Sequence, residues 1–123
     1  DKLENANISE CFINANANQL NRLISLAKNY NLNIHGWIWT LNRPYDEKCS
    51  KNLDWYSVNK NGQNSYEYHP YVDYYQWLSP FSEGAREYIK DNISKIASVD
   101  GLSSVHLDYV RYCDLPTCEW WYG

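Results

Sequence analysis

The segment VDGLSSVHLDYVRYCD, residues 99–114, places three side chains capable of chemistry in and after a short apolar run: His106, Asp108 and Arg111. A carboxylate at the end of a buried strand loses its hydration, so Asp108 needs either a partner or a function there. We interpret Asp108 as a catalytic carboxylate or as a structural partner of Arg111. Because a guanidinium stays protonated, Arg111 suits charge pairing and orientation within the catalytic group better than proton transfer. His106 either holds a substrate hydroxyl or is a hydrogen-bonded interior histidine.

Two helices and two strands must position these residues. Apolar side chains recur at helical spacing over 16–30 and again over 83–97, where Ser82 can cap the second helix. Aromatic and β-branched runs predict strands near 33–40 and 102–108. Because helices alternate with strands, the predicted fold class is α/β with parallel strands, joined by a right-handed crossover.

Side chains two apart in a strand point to the same face. The alternation therefore predicts one polar or aromatic face and one apolar face that packs on helices. The polar or aromatic face would carry His35, Trp37, Trp39, Ser104, His106 and Asp108, and the apolar face Ile34, Ile38, Val105 and Leu107. Ligands of such sheets bind beyond the carboxyl ends of the strands. We therefore expect Trp39, Asn42, His106 and Asp108 to converge there, with residues 42–78 folded over them as a long loop.

The aromatic content points to the kind of ligand. The 123 residues include 6 Trp and 12 Tyr, with a net charge of -4 and no basic stripe. This composition argues against nucleic acid or an anionic membrane as a partner. Rings among carboxylates and amides favour a carbohydrate, although the same rings could simply fill the core. The predicted substrate-binding residues are His106, Trp37, Trp39 and Asn42 at the strand ends, and Trp55, Tyr56 and Trp77 as stacking platforms in the long loop.

The segment VDGLSSVHLDYVRY, after a helix containing REYI, resembles the fourth-strand segment of a family of glycoside-hydrolase-like TIM barrels. IHGWIWTLNRP resembles the third strand of that family, and DWYSVNKNGQ and YYQWLSP resemble the loop between the two. The resemblance covers roughly residues 20–114. The second strand is also distantly similar to the fourth-strand region of the alpha-amylase superfamily, which has an Arg where this chain has His106.

The resemblance implies a partial (β/α)₈ barrel with a strand-end nucleophile at Asp108. A complete barrel needs about 250 residues, so residues 1–123 would form about half of a single barrel. We expect the remaining strands, and the second carboxylate that glycosidases use, to come from the parent chain or from partner chains. The expected activity is therefore glycoside hydrolysis by the complete parent, without a cofactor, and the isolated segment should be inactive.

Two other functions stay open. One is a carbohydrate-binding protein without catalysis. The other is a metal-dependent hydrolase with His35, His69, His106 and Asp108 as ligands, although the sequence offers no H-x-x-x-H pair and our prediction includes no metal.

The cysteines bear on the cellular compartment of the protein. Cys11, Cys49, Cys113 and Cys118 allow three disulfide pairings, and buried thiols are the alternative. We expect an extracellular or periplasmic protein.

Overall fold

The computed structural model describes residues 2–68 and 72–113. The helices are α1 (Lys2–Asn5), α2 (Ala17–Ala27), α3 (Glu47–Ser50) and α4 (Glu83–Ala97), with a 3₁₀ turn at Leu53–Trp55. The strands are β1 (Glu10–Ile13), β2 (Asn33–Trp39) and β3 (Ser104–Asp108). The chain divides into two compact units. Within the described residues, the first unit comprises 2–38 and 91–108, and the second comprises 39–68, 72–90 and 109–113.

The first unit is built on a three-stranded parallel sheet in the order β1-β2-β3. β1 and β2 pair in register, with Phe12 opposite His35 and Ile13 opposite Gly36. The predicted parallel α/β class is therefore confirmed, and the two predicted strands are neighbours. β1 was not among the predicted strands.

The core of the first unit lies on one face of this sheet. Ile34 and Ile38, which alternate along β2, are buried there, as the alternation predicts. The rest of the core comes mainly from α2 and the end of α4 and contains Leu20, Ile24, Ala27, Ile96 and Val99. Val105 packs against this core, but Leu107 is 43% exposed. The expectation that Leu107 packs on a helix is therefore wrong, since the apolar cluster includes Val105 but not Leu107.

Both long helices begin directly after a capping residue, of which Ser82 was predicted. The Asn16 side-chain oxygen accepts a hydrogen bond from the Gln19 backbone N–H, and the Gln19 side-chain oxygen accepts one from the Asn16 backbone N–H. These two bonds form a capping box at the start of α2. α2 ends at Ala27, three residues before the predicted boundary. The Ser82 hydroxyl accepts the Ala85 amide at 3.4 Å, and α4 has the predicted bounds.

Where the sequence predicted a long loop over 42–78, the described residues 42–68 and 72–78 contain ordered structure. The helix α3, the 3₁₀ turn and three isolated bridges occupy this stretch. One bridge pairs Asn42 with Trp77, and the Asn42 Oδ1 accepts the Gln76 amide at 2.9 Å. The segment is therefore stabilised by its own core and backbone hydrogen bonds. Among the helices of the described residues, none has the length and apolar character needed to cross a bilayer.

Candidate functional site

Asp108 lies at the carboxyl end of the parallel sheet. It is the last residue of β3, and Trp37 lies near the end of the neighbouring strand β2. The Trp37 Nε1–H donates to Asp108 Oδ2 at 3.1 Å, and both side chains are half-buried. This bond holds one carboxylate oxygen in a fixed orientation at the sheet end where ligands bind in α/β folds.

A second polar group spans the other end of the same sheet face. His35 Nε2 lies 2.5 Å from Glu10 Oε2, and His35 Nδ1 lies 2.7 Å from the Ser104 hydroxyl. Asn33 Nδ2 donates to the second Glu10 oxygen at 2.8 Å. These hydrogen bonds, from Asn33 and then His35, hold the pKa of Glu10 below its ordinary value. All three strands thus contribute to one hydrogen-bonded chain.

Two aromatic contacts accompany this group. The Phe12 ring stacks on His35, with centroids 4.4 Å apart and planes 16° apart. The His106 ring meets the Phe12 ring edge-on, with centroids 5.4 Å apart. Phe12 is nevertheless 52% exposed, and His106 is exposed as well.

We call this side of the sheet the open face. It carries Glu10, Phe12, His35, Trp37, Ser104, His106 and Asp108. Exposed side chains on a face of a parallel sheet are unusual, because such sheets are normally covered on both faces. A polar, hydrogen-bonded and accessible face suits a ligand or further polar structure better than a conventional apolar core.

The second unit contains a dense aromatic cluster. Trp39 meets Tyr109 edge-on at 5.1 Å and is tilted toward Tyr74 at 6.1 Å. Trp77 meets Tyr109 at 5.5 Å and Tyr75 at 5.2 Å. Trp39 is half-buried and Tyr74 is exposed, so these two rings form the accessible part of the cluster.

Arg111 belongs to this cluster. Its guanidinium lies 5.0 Å from the Trp77 ring centroid and 5.3 Å from that of Tyr109, and Nη1 donates to the Tyr112 carbonyl. Cation–π contacts therefore account for its position in the second unit. The predicted pairing of Arg111 with Asp108 stays a prediction.

Three predicted substrate-binding residues are buried. Asn42 is 0% exposed, Trp77 1% and Tyr56 2%. A buried ring cannot stack on a ligand without moving, so this structure gives no support to a platform role for Tyr56 or Trp77. Trp55 is half-buried and packs at 5.6 Å against Tyr88. These residues hold the second unit together instead.

Buried polar atoms without a hydrogen-bond partner accumulate in the same unit. Among them are Asn42 Nδ2, Gln76 Oε1 and Trp77 Nε1, which belong to residues joined by the Asn42–Trp77 bridge or adjacent to it. Such atoms cost about 1–3 kcal/mol each when nothing satisfies them.

The buried thiol and phenol of the second unit are poor nucleophiles. Burial, and then the nearby Asp46 carboxylate, raises the pKa of Cys49 to about 12. Burial also raises the pKa of Tyr56. Cys11 and Cys49 carry free thiols, while Cys118 lies outside the described residues.

For the metal-dependent alternative, the structure offers no supporting group. Residues 2–68 and 72–113 contain no cluster of three or more His, Cys, Asp or Glu side chains able to hold a metal ion. His69, one of the predicted ligands, lies outside the described residues.

Glu10 and Phe12 were not among the predicted site residues. In ECFI they alternate with the core-facing Cys11 and Ile13. Because Phe12 is apolar like both of these neighbours, the sequence lacks the alternation of polar and apolar residues that predicts a half-buried strand.

No family model matches the sequence, and searches of curated proteins and of solved structures return no significant match.

Proposed function

We propose that this chain forms part of a glycoside hydrolase of the (β/α)₈-barrel type, in which Asp108 is the catalytic carboxylate. The observation that carries the proposal is the hydrogen bond from Trp37 Nε1–H to Asp108 at the carboxyl end of two parallel strands. Catalytic residues of such barrels project from this end.

The open face supports the barrel. In a closed barrel the faces of the strands that point inward are covered by the remaining strands, while the outer faces pack on helices. The first unit supports this proposal with an apolar core of strand and helix residues on one face and polar or aromatic side chains on the other. The remaining strands would enclose Phe12 and His106, whereas Glu10 and Ser104, the first residues of β1 and β3, would lie at the amino-end rim of such a barrel.

The proposed chemistry uses two carboxylates. Ionised Asp108 attacks the anomeric carbon or stabilises the oxocarbenium-like transition state, and a second acid on another strand protonates the leaving oxygen. His106, two residues earlier on the same face, positions a substrate hydroxyl.

The test is Asp108→Asn in the natural-length protein that contains this chain, assayed on a panel of oligosaccharides. Because this change removes the charge with little change in shape, we expect kcat/KM to fall about 10³-fold. Asp91→Asn is the matched control, since Asp91 forms a surface ion pair with Lys95. Activity of Asp108→Asn near that of the unmodified protein would overturn the proposal. If the unmodified protein bound oligosaccharides and cleaved none, the carbohydrate-binding alternative would replace it.

Trp37→Phe sharpens the same test. It keeps an aromatic ring and removes the N–H that orients Asp108. We expect kcat to fall about tenfold, the loss of one modest hydrogen bond in the transition state, with a smaller change in KM. An unchanged kcat would show that the Trp37 N–H has no role in catalysis, even if Asp108 were essential.

A further inference from the structure

The hydrogen-bonded chain Glu10–His35–Ser104 is separate from the site proposed for Asp108. Glu10 and Ser104 are the first residues of β1 and β3, whereas Asp108 is the last residue of β3. Glu10, His35 and Ser104 therefore lie near the amino ends of the strands, and an inference drawn from them does not depend on the glycosidase proposal.

The partners of His35 determine which ring nitrogen carries the proton. An ionised carboxylate only accepts hydrogen bonds, so the nitrogen that faces Glu10, Nε2, is the one that bears hydrogen in the neutral ring. Nδ1 then has a lone pair, and the Ser104 hydroxyl must donate to it. Ser104 Oγ is thereby left with its lone pairs directed away from the imidazole.

We propose that Ser104 is a nucleophile toward acyl esters, with His35 as its general base and Glu10 as the group that orients His35. A nucleophile bonded to a base, which is in turn oriented by a third group, is the arrangement that activates serine hydroxyls on unrelated folds. Here the roles of the two ring nitrogens are exchanged relative to the serine proteases, and the proton path is equivalent.

The reaction balances with water as the only co-reactant. Ser104 Oγ bonds to the acyl carbon as its proton passes to His35 Nδ1, and the carbonyl electron pair moves to oxygen. The alkoxide leaves with that proton as an alcohol, and an acyl-serine ester remains. Water, deprotonated by Nδ1, then attacks the ester, and Ser104 Oγ departs with the proton as the carboxylic acid is released.

The surroundings keep this group both ordered and accessible. Asn33 holds Glu10 at 2.8 Å, and the Phe12 ring lies flat against the imidazole at 4.4 Å. The Glu10 side chain is 50% exposed and Ser104 is exposed, so an ester can reach Oγ.

The experiment treats the natural-length protein with a fluorophosphonate probe, which forms an Oγ–P bond as fluoride leaves, and locates the adduct by peptide mass spectrometry. We expect the adduct on Ser104, and we expect it to be absent in Ser104→Ala. Ser103→Ala is the matched control, because Ser103 is the exposed neighbour whose backbone amide, rather than its side chain, bonds to β2. This variant should label at the unmodified rate.

The role of His35 is tested by His35→Gln, which should slow labelling about 100-fold and slow p-nitrophenyl acetate hydrolysis equally. Thermal unfolding of each variant establishes that it is folded at the assay temperature. Adducts spread evenly over serines, or absent from Ser104, would overturn the proposal and leave the chain Glu10–His35–Ser104 as a structural link between strands. Labelling of Ser104 that His35→Gln does not slow would overturn it as well.

Discussion

The two units differ in how deeply they bury their polar and aromatic side chains. The first unit exposes several of them on the open face. Phe12 and His106 are exposed there, as are Glu10 and Ser104, which form hydrogen bonds with His35.

The second unit buries several of them, including Tyr56, Tyr75 and Trp77, and exposes others such as Tyr74 at its surface. The largest of its fully buried side chains is Trp77.

This difference assigns different tasks to similar residue types. An exposed ring contributes little to the free energy of folding and is available to a ligand or to further structure, whereas a buried ring contributes through packing. The first unit therefore has accessible polar and aromatic side chains on one face of its sheet, whereas the second unit uses residues of the same kinds in its core.

The largest expected effect tests this contrast directly. Trp77→Ala should destabilise the protein by about 3–5 kcal/mol, because it removes a buried indole and leaves a cavity. Phe12→Ala should cost less than about 1 kcal/mol, since half of that ring is already exposed. Urea unfolding measures both, and equal losses in the two variants would break the contrast between the units.

A smaller effect tests how tightly the first unit packs behind its open face. A Cβ on Gly36 would lie 2.7 Å from Ile96 Cγ2 and 3.4 Å from Leu20 Cδ1. Gly36→Ala should therefore destabilise by about 1–3 kcal/mol through overpacking.

Ile96→Ala provides the matched control for Gly36→Ala because it removes the atom that clashes. The double variant should lose less free energy of unfolding than the sum of the two single losses. Strictly additive losses would show that the space behind Gly36 accommodates a methyl group without Ile96 moving.

The two long helices, α2 and α4, and the two longer strands were predictable because each has a local pattern. α4 combines helical spacing with a serine cap, and β2 alternates buried Ile34 and Ile38 with half-buried His35 and Trp37. These patterns depend on neighbouring residues alone, so a single sequence contains them.

The rest depends on contacts between residues that are distant in sequence. β1 has four residues, and its pairing with β2 twenty-three positions later is what defines it. Likewise, Asn42 and Trp77 are paired across a stretch of the second unit that shows no periodicity. The hydrogen-bond partners of His35 lie on the two neighbouring strands, so no local pattern in the sequence identifies them.

The smallest expected effect concerns the ionised state of Glu10 on the open face. Hydrogen bonds from Asn33 and His35 lower the pKa of Glu10 below its ordinary value of 4.5. A carboxyl whose pKa is lower in the folded state stabilises the fold at pH values above 4.5, and this contribution is lost as the pH falls through the folded-state value.

Glu10→Gln keeps the shape of the side chain and removes the charge. We therefore expect the unmodified protein to be more stable than Glu10→Gln at neutral pH, with the difference shrinking below pH 4.5. Asn33→Ala, which removes the larger of the two hydrogen-bonding causes, should show a weaker pH dependence than the unmodified protein. Urea midpoints measured from about pH 7 to about pH 3 give the comparison. A stability difference that stayed constant across this range would mean that Glu10 contributes by shape alone, and that the open face is held together without its charge.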